Sequence, residues 1–236
     1  MCLISHYDLR MLWPACSASL AIDWPVRLCI CHINASFVVV DKPAGMLSVP
    51  GRGEDKRDSV ASRVKELFPN ADGPLIVHRL DMETSGVMVF ALNAESHRNL
   101  SKQFMDRQVD KSYIAILDGI LDFDDGVVDI PLSRDWPNRP RQMVDTENGK
   151  HAISRYQVLD RDTNRALTLV RFRPETGRTH QLRLHAAASR AQGGLGLPIL
   201  GDSLYGDQSK APRLMLHAEM LAFFHPDTGQ RLIFTT

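Results

Sequence analysis

The sequence predicts an α+β domain built on a mixed sheet, and three observations carry that expectation. Short β-branched and aliphatic runs outnumber the helical patterns. The helical patterns do not alternate strictly with those runs, as a doubly wound parallel fold would require. The 236 residues are 44% hydrophobic and contain no internal repeat or low-complexity linker, which suits one well-packed core.

The first run is Phe37-Val38-Val39-Val40, stopped by the turn Asp41-Lys42-Pro43-Ala44-Gly45. Pro50-Gly51-Arg52-Gly53 reads as a second turn. Asp58 is then the expected cap of a helix reaching residue 67, with Val60, Val64 and Leu67 on one side. Apolar strands expected over 75–77 and 86–92 flank the polar segment His78-Arg79-Leu80-Asp81-Met82-Glu83-Thr84-Ser85. Asn93 opens a second helix to residue 107, with Leu100 and Phe104 inward. Strands follow over 111–117, 127–132, 152–159 and 166–172. The turn Pro174-Glu175-Thr176-Gly177 leads into a helix over 179–189, and strands over 214–216, 220–224 and 232–234 close the chain. Residues 1–33 read as a poorly ordered extension ahead of one domain spanning 34–236.

Lys and Arg number 28, as do Asp and Glu, and a zero net charge argues against a nonspecific binder of polyanions. The even balance hides a basic stretch, because residues 134–190 hold 12 Lys and Arg against 6 Asp and Glu. Such a stretch forms either a phosphate-binding face or an unevenly charged solvated surface. No uncharged apolar run reaches the ~18 to 20 residues that cross a bilayer, so no membrane partner is expected. Cys2, Cys16, Cys29 and Cys31 all lie in the first 31 residues, which points to a reducing, cytoplasmic setting. Cys29-Ile30-Cys31-His32 lacks the second Cys pair that would close a zinc site.

Three segments hold the chemistry. His78-Arg79-Leu80-Asp81 sets two basic groups within three residues of a carboxylate, either as a reactive loop or as a salt-bridged turn. Gly177-Arg178-Thr179-His180-Gln181-Leu182-Arg183-Leu184-His185 puts Arg178 and His180 at a helix start, where anions bind. His180 and His185 are about 140° apart around a helix and cannot share a metal, and His185 reads as a hydrogen-bonded core residue. Arg134-Asp135-Trp136-Pro137-Asn138-Arg139-Pro140-Arg141-Gln142 interleaves arginines with an aromatic ring. That loop either grips phosphates and an unpaired base or carries a buried tryptophan. No G-x-S-x-G elbow, P-loop, dinucleotide fingerprint or H-E-x-x-H motif is present.

Taken together, these segments resemble the RluA family of pseudouridine synthases. His78-Arg79-Leu80-Asp81-Met82-Glu83-Thr84-Ser85-Gly86 resembles its H-R-L-D-x-x-T-S-G signature. Asp41-Lys42-Pro43-Ala44-Gly45, Lys111-Ser112-Tyr113-Ile114-Ala115 and Gly177 to Arg183 resemble N/D-K-P-x-G, K-x-Y-x-A and G-R-T/S-H-Q-L-R. Pro198-Ile199-Leu200-Gly201-Asp202 and Arg213-Leu214-Met215-Leu216-His217-Ala218 complete the series in the family's order. Leu47 to Arg52 and Asp135 to Pro140 resemble the branch that acts on both a tRNA anticodon arm and a large-subunit rRNA hairpin. Two departures stand out: residues 189–195 make a longer connection than usual, and Leu197 replaces the common His before Pro198. Some 33 residues precede the match, too few for the S4 RNA-binding domain of several relatives, and the chain stops soon after its last strand.

The resemblance implies a pseudouridine synthase fold: a mixed, largely antiparallel central sheet with flanking helices and a central active-site cleft. It implies that Asp81 is the catalytic carboxylate, that Arg183 is its ion-pair partner, and that Tyr113 stacks on the flipped base. Arg79 would fill the space the base leaves. Leu214 would line the pocket, and His78, Thr84, Arg178 and His180 would bind substrate. Trp136, Arg139 and Arg141 would contact the RNA. Isomerisation within one nucleotide implies no metal and no cofactor. The expected partner is RNA, as tRNA or rRNA hairpin loops, and the expected state is a monomer. The rival readings are an rRNA-only synthase of another branch and an RNA-folding factor on a synthase scaffold.

Overall fold

The computed structural model describes residues 28–72 and 75–236. Its strands are β1 (Cys29–Ile33), β2 (Phe37–Lys42), β3 (Ser85–Ala91), β4 (Asp110–Asp118), β5 (Asp125–Asp129), β6 (Leu132–Arg134), β7 (Gln142–Val144), β8 (Ile153–Asp162), β9 (Leu167–Pro174), β10 (Leu216–Phe224) and β11 (Arg231–Thr235). The helices are α1 (Val60–Leu67), α2 (Ala94–Met105) and α3 (Gln181–Ala187). One sheet runs β1-β2-β3-β10-β4-β9-β8-β5, β11 pairs with β10, and β6 and β7 form a separate hairpin. Among the described strands only β3 and β10 pair in parallel, so the sheet is mixed and largely antiparallel, as expected.

The continuous apolar runs explain the middle of the sheet. Phe37 to Val40 and Val87 to Ala91 are buried at every position, the pattern of strands covered on both faces. β3 touches β10 only through Ser85 and Gly86, opposite His217 and Ala218. Gly86 is required there: its φ is +119° and a Cβ would sit 2.3 Å from the Ala218 carbonyl oxygen. Past that crossing β11 pairs with Met220 to Phe224 along β10. Two hydrophobic clusters result, one around β2, β3, α1 and α2 and one around β4, β9 and α3, and Tyr113 packs against both. The cleft opens at this seam.

Several boundaries differ from the sequence reading, each for a local reason. Residues 29–33, assigned to the extension, form β1 against β2, with a bulge between Ile30 and His32 that breaks the alternation used to recognise strands. The rest of that extension, residues 1–27, lies outside the described residues. Cys29 is disulfide-bonded, against the expectation of reduced thiols, while Cys31 is free. Ser59 caps α1 through a capping box with Ser62, and Asp58 pairs with Arg63 at 2.6 Å instead. Residues 75–77 contribute a single bridge, Ile76 to Phe90. The expected 127–132 strand is split between β5 and β6, with Pro131 between them, and of the two expected strands 214–216 and 220–224 the structure makes one, β10, that starts only at Leu216. α3 is shorter than predicted, starting only after His180. His185 is buried, but neither ring nitrogen has a hydrogen-bond partner among the described residues.

Candidate active site

Asp81 sits in a loop that has no strand partner of its own, and the segment 42–48 holds it on both sides. Ser48 Oγ donates to the Leu80 carbonyl at 2.6 Å and accepts from the Leu80 N–H at 3.1 Å. The Gly45 N–H donates to the Met82 carbonyl at 2.9 Å. Lys42 is fully buried and donates to the carbonyls of Pro43, Met46 and Met82 at 2.8–2.9 Å, using all three protons. Burial pushes its ammonium down to about 7, against the pull of Asp81 and Asp41. The turn closes with the Thr84 N–H on the Asp81 carbonyl at 3.1 Å. The resemblance between Asp41-Lys42-Pro43-Ala44-Gly45 and a family motif thereby acquires a physical meaning, because this segment clamps the Asp81 loop.

Arg183 is 2% exposed, and its Nη2 lies 2.6 Å from Asp202 Oδ1 and 2.8 Å from Glu83 Oε2. Its Nε reaches the second Asp202 oxygen at 2.8 Å, so that pair is bidentate. Burial opposes the guanidinium charge, but Asp202, Glu83 and Asp81 outweigh it and raise the pKa. The expected Asp81–Arg183 ion pair is therefore corrected. Among the described residues no salt bridge joins them, because Asp202 and Glu83 occupy the fork, and Asp81 acts on Arg183 through its field. Asp81 also bears on Lys42, Tyr113 and His180. Burial, reinforced by Asp81, raises the Tyr113 phenol and keeps it protonated.

Asp81, Tyr113 and Arg183 line a cleft of about 1210 Å³ that also holds Arg79, Arg107, Lys111, Thr84, Arg155, Arg173, Arg178 and His180. Its basic wall is only partly neutralised: Arg155 pairs with Glu175 at 2.7 Å, while Arg79, Arg107, Lys111 and Arg173 form no ion pair among the described residues. Arg178 Nε donates to the His151 carbonyl at 3.0 Å. His180 has φ +53°, an uncommon conformation for a side chain of its size, and it caps α3 with its Nδ1 2.9 Å from the Tyr205 hydroxyl. Burial lowers its pKa, partly offset by Asp81.

Of the other expected site residues, His78 is at the cleft but engaged in packing, and Leu214, Trp136, Arg139 and Arg141 lie outside its lining. His78 borders the cleft, but its ring stacks on Phe104 at 4.6 Å and its Nε2 accepts from the Val89 N–H at 3.1 Å, so packing uses it. Burial and then Lys111 hold its pKa down to about 3. Leu214 precedes β10 and is buried in the second core cluster, and Leu216 takes the lining position instead. Trp136, Arg139 and Arg141 lie outside the cleft lining, between β6 and β7. Trp136 is exposed, contrary to the buried alternative, with the Arg139 and Arg134 guanidinium carbons 3.8 and 4.9 Å from its ring. Residues 189–197 fold into a tight turn, hydrogen-bonded from Gly193, Gly194 and Gly196 back to 188–190, and none of them lines the cleft. The sequence reading missed Glu83 and Tyr205, and gave Asp202 no role.

A sequence model described as RNA pseudouridylate synthase matches residues 36–188. The chain is 46% identical over 208 residues to the Dual-specificity RNA pseudouridine synthase RluA of Yersinia pestis, covering 87% of this chain and 96% of that one. It is 45% identical over 210 residues to the protein of the same name from Escherichia coli strain K12, covering 88% and 91%. Among solved structures it resembles Human RNA Pseudouridylate Synthase Domain Containing 1 with TM-score 0.73 and 28% identity, covering 89% of this chain and 82% of that chain. Human RNA Pseudouridylate Synthase Domain Containing 4 superposes with TM-score 0.69 at 30% identity, over 88% and 87%. With the H-R-L-D loop clamped at the head of a basic cleft and these matches along most of its length, the chain belongs to the RluA family of RNA pseudouridine synthases, isomerases that convert uridine in RNA to pseudouridine.

Proposed function

We propose that this chain modifies two RNAs, a tRNA anticodon stem-loop and a 23S rRNA hairpin, with Asp81 as the catalytic carboxylate. The observation that carries this reading is Asp81 set between a buried Arg183 network and a wall of unpaired cations, in a cleft large enough for a nucleotide. The relatives named dual-specificity synthases, 45 to 46% identical over 87 to 88% of the chain, support the pair of substrates. In the isomerisation the N1–C1′ bond breaks, the base turns, and a C5–C1′ bond forms. The C5 proton departs and N1 regains one. Asp81 stabilises the detached sugar or base, and Tyr113, protonated and at the seam of the two cores, is suited to stack on the uracil. Arg79, exposed at the cleft rim, takes the place of the flipped base. Thr84 and Arg178 line the cleft and Trp136, Arg139 and Arg141 meet the loop nucleotides.

We place the enzyme in the cytoplasm, where such RNAs are found, and read it as a monomer. Among the described residues no helix is long and apolar enough to cross a membrane. Pseudouridine mapping by carbodiimide and primer extension tests the reading directly. Stops in both tRNA and large-subunit rRNA with this protein, absent with Asp81→Ala, are expected. A stop in one RNA alone would assign it to a narrower branch, and none in either would contradict the reading.

A further inference from the structure

The β6–β7 hairpin is a separate two-stranded sheet whose Leu132 and Val144 pack on the core cluster that α3 shares, and Tyr205 adds a hydrogen-bonded tie from β7 to the start of α3. The Tyr205 hydroxyl accepts the Gln142 backbone N–H of β7 at 2.7 Å and lies 2.9 Å from His180 Nδ1. The hydroxyl thus bridges the hairpin backbone and the imidazole with one oxygen, having one proton and two lone pairs to share between them. Burial pushes the phenol up to about 12, so the proton stays on it. The Tyr205 ring also carries two guanidinium groups, Arg141 of the hairpin at 5.4 Å and Arg183 at 5.5 Å. Asp202 fixes this arrangement from below: one carboxylate oxygen accepts the N–H groups of Leu204 and Tyr205 at 2.9 and 3.0 Å while the same carboxylate grips Arg183.

We infer that Tyr205 is a positioning residue that couples engagement of RNA by the β6–β7 hairpin to the placement of His180 and Arg183 beside Asp81. The inference rests on the synthase reading and on the hairpin as an RNA contact. When the hairpin seats on a substrate loop, the Gln142–Tyr205–His180 chain transmits that seating to two side chains that line the cleft with the reacting carboxylate. Both ends of the chain are fixed: His180 by its capping position on α3, Gln142 by its pairing with Arg134 across the hairpin.

A double-mutant cycle tests the coupling. Tyr205→Phe removes the hydroxyl and leaves the ring between the two arginines. Trp136→Ala with Arg139→Ala disables the hairpin tip without touching Tyr205. In the native hairpin background Tyr205→Phe should lower single-turnover rate on the anticodon hairpin about tenfold, while the melting temperature falls by no more than about 2–4 °C, the loss expected for about one hydrogen bond. In the disabled background its cost should shrink to less than about twofold, since coupled groups are non-additive. Equal costs in both backgrounds would overturn the coupling. The effect of the hairpin change alone reports separately on whether the tip contacts RNA. Trp136 fluorescence anisotropy, with Trp13 and Trp24 replaced by Phe, gives an independent reading in the free protein. Tyr205→Phe must loosen the hairpin, and unchanged anisotropy would also overturn the proposal.

Discussion

Around Arg183 the paired charges are largely shielded from water and held by bidentate or charge-assisted contacts. Asp202 is fully buried, Arg183 is 2% exposed, and Glu83 completes the trio. On the β6–β7 hairpin the opposite holds: Trp136 is 60% exposed, and Arg134, Arg139 and Arg141 form no ion pair with a carboxylate among the described residues. Instead Arg134 and Arg139 lie over the indole. The difference teaches what each region is for. A site that must present the same field to every substrate uses charges locked by burial, where breaking one pair is costly. A surface that must meet two different RNA loops uses exposed cations and a stacking ring, each adding little and each free to readjust.

The largest effect that separates the two regions is expected at Arg183. Arg183→Ala leaves Asp202 buried and unpaired, which should cost about 3–5 kcal/mol of stability, read as a lowered melting temperature. Arg183→Lys keeps the charge but loses the fork, so it should retain the fold while tritium release from uridine-labelled RNA falls by about a hundredfold. Normal turnover in a folded Lys variant would break the account of the cleft.

An effect of comparable size comes from acid. Burial holds the pKa values of His185 and His217 down to about 4, below their ordinary 6.5. The unfolded chain therefore takes up protons first as pH falls, and the folded state loses stability between pH 6.5 and about 4, at about 1.4 kcal/mol per pH unit for each histidine in the middle of that window. Above pH 6.5 the two contribute no pH dependence. His185→Gln should flatten the lower part of a urea-midpoint profile, and an unchanged slope would remove His185 from the account. The smallest effect per residue lies on the hairpin, where Arg139→Ala or Arg141→Ala should each reduce the slope of log affinity against log salt by about 0.7–0.9.

The strands and helices of the central sheet were legible because uninterrupted runs such as Phe37 to Val40 and the Asn93 cap state their environment locally. β1 and β7 were not, since a bulge at Cys31 hides the first and the second is three residues beside a proline-rich turn. The catalytic loop was legible as a motif, but its ion-pair partners were not. Glu83 occupies a variable position inside that motif, and Asp202 approaches Arg183 from 19 residues away. Leu214 and Leu216 have the same parity on one short apolar stretch, so only the start of β10 decides which of them faces the cleft. Tyr205 gave no sign at all, because its role depends on a hydrogen bond to a backbone N–H 63 residues upstream.

The most direct test of the central claim, that the cleft performs the chemistry and the hairpin holds the RNA, compares two variants in one assay. Asp81→Asn and Arg139→Ala/Arg141→Ala are each measured for affinity and single-turnover tritium release on the anticodon hairpin across a salt series. The account predicts that Asp81→Asn binds RNA with the native salt slope and releases no tritium. It predicts that the hairpin variant binds more weakly with a flatter slope, and still turns over once saturated. Tritium release by Asp81→Asn, or a native salt slope in the hairpin variant, would contradict it.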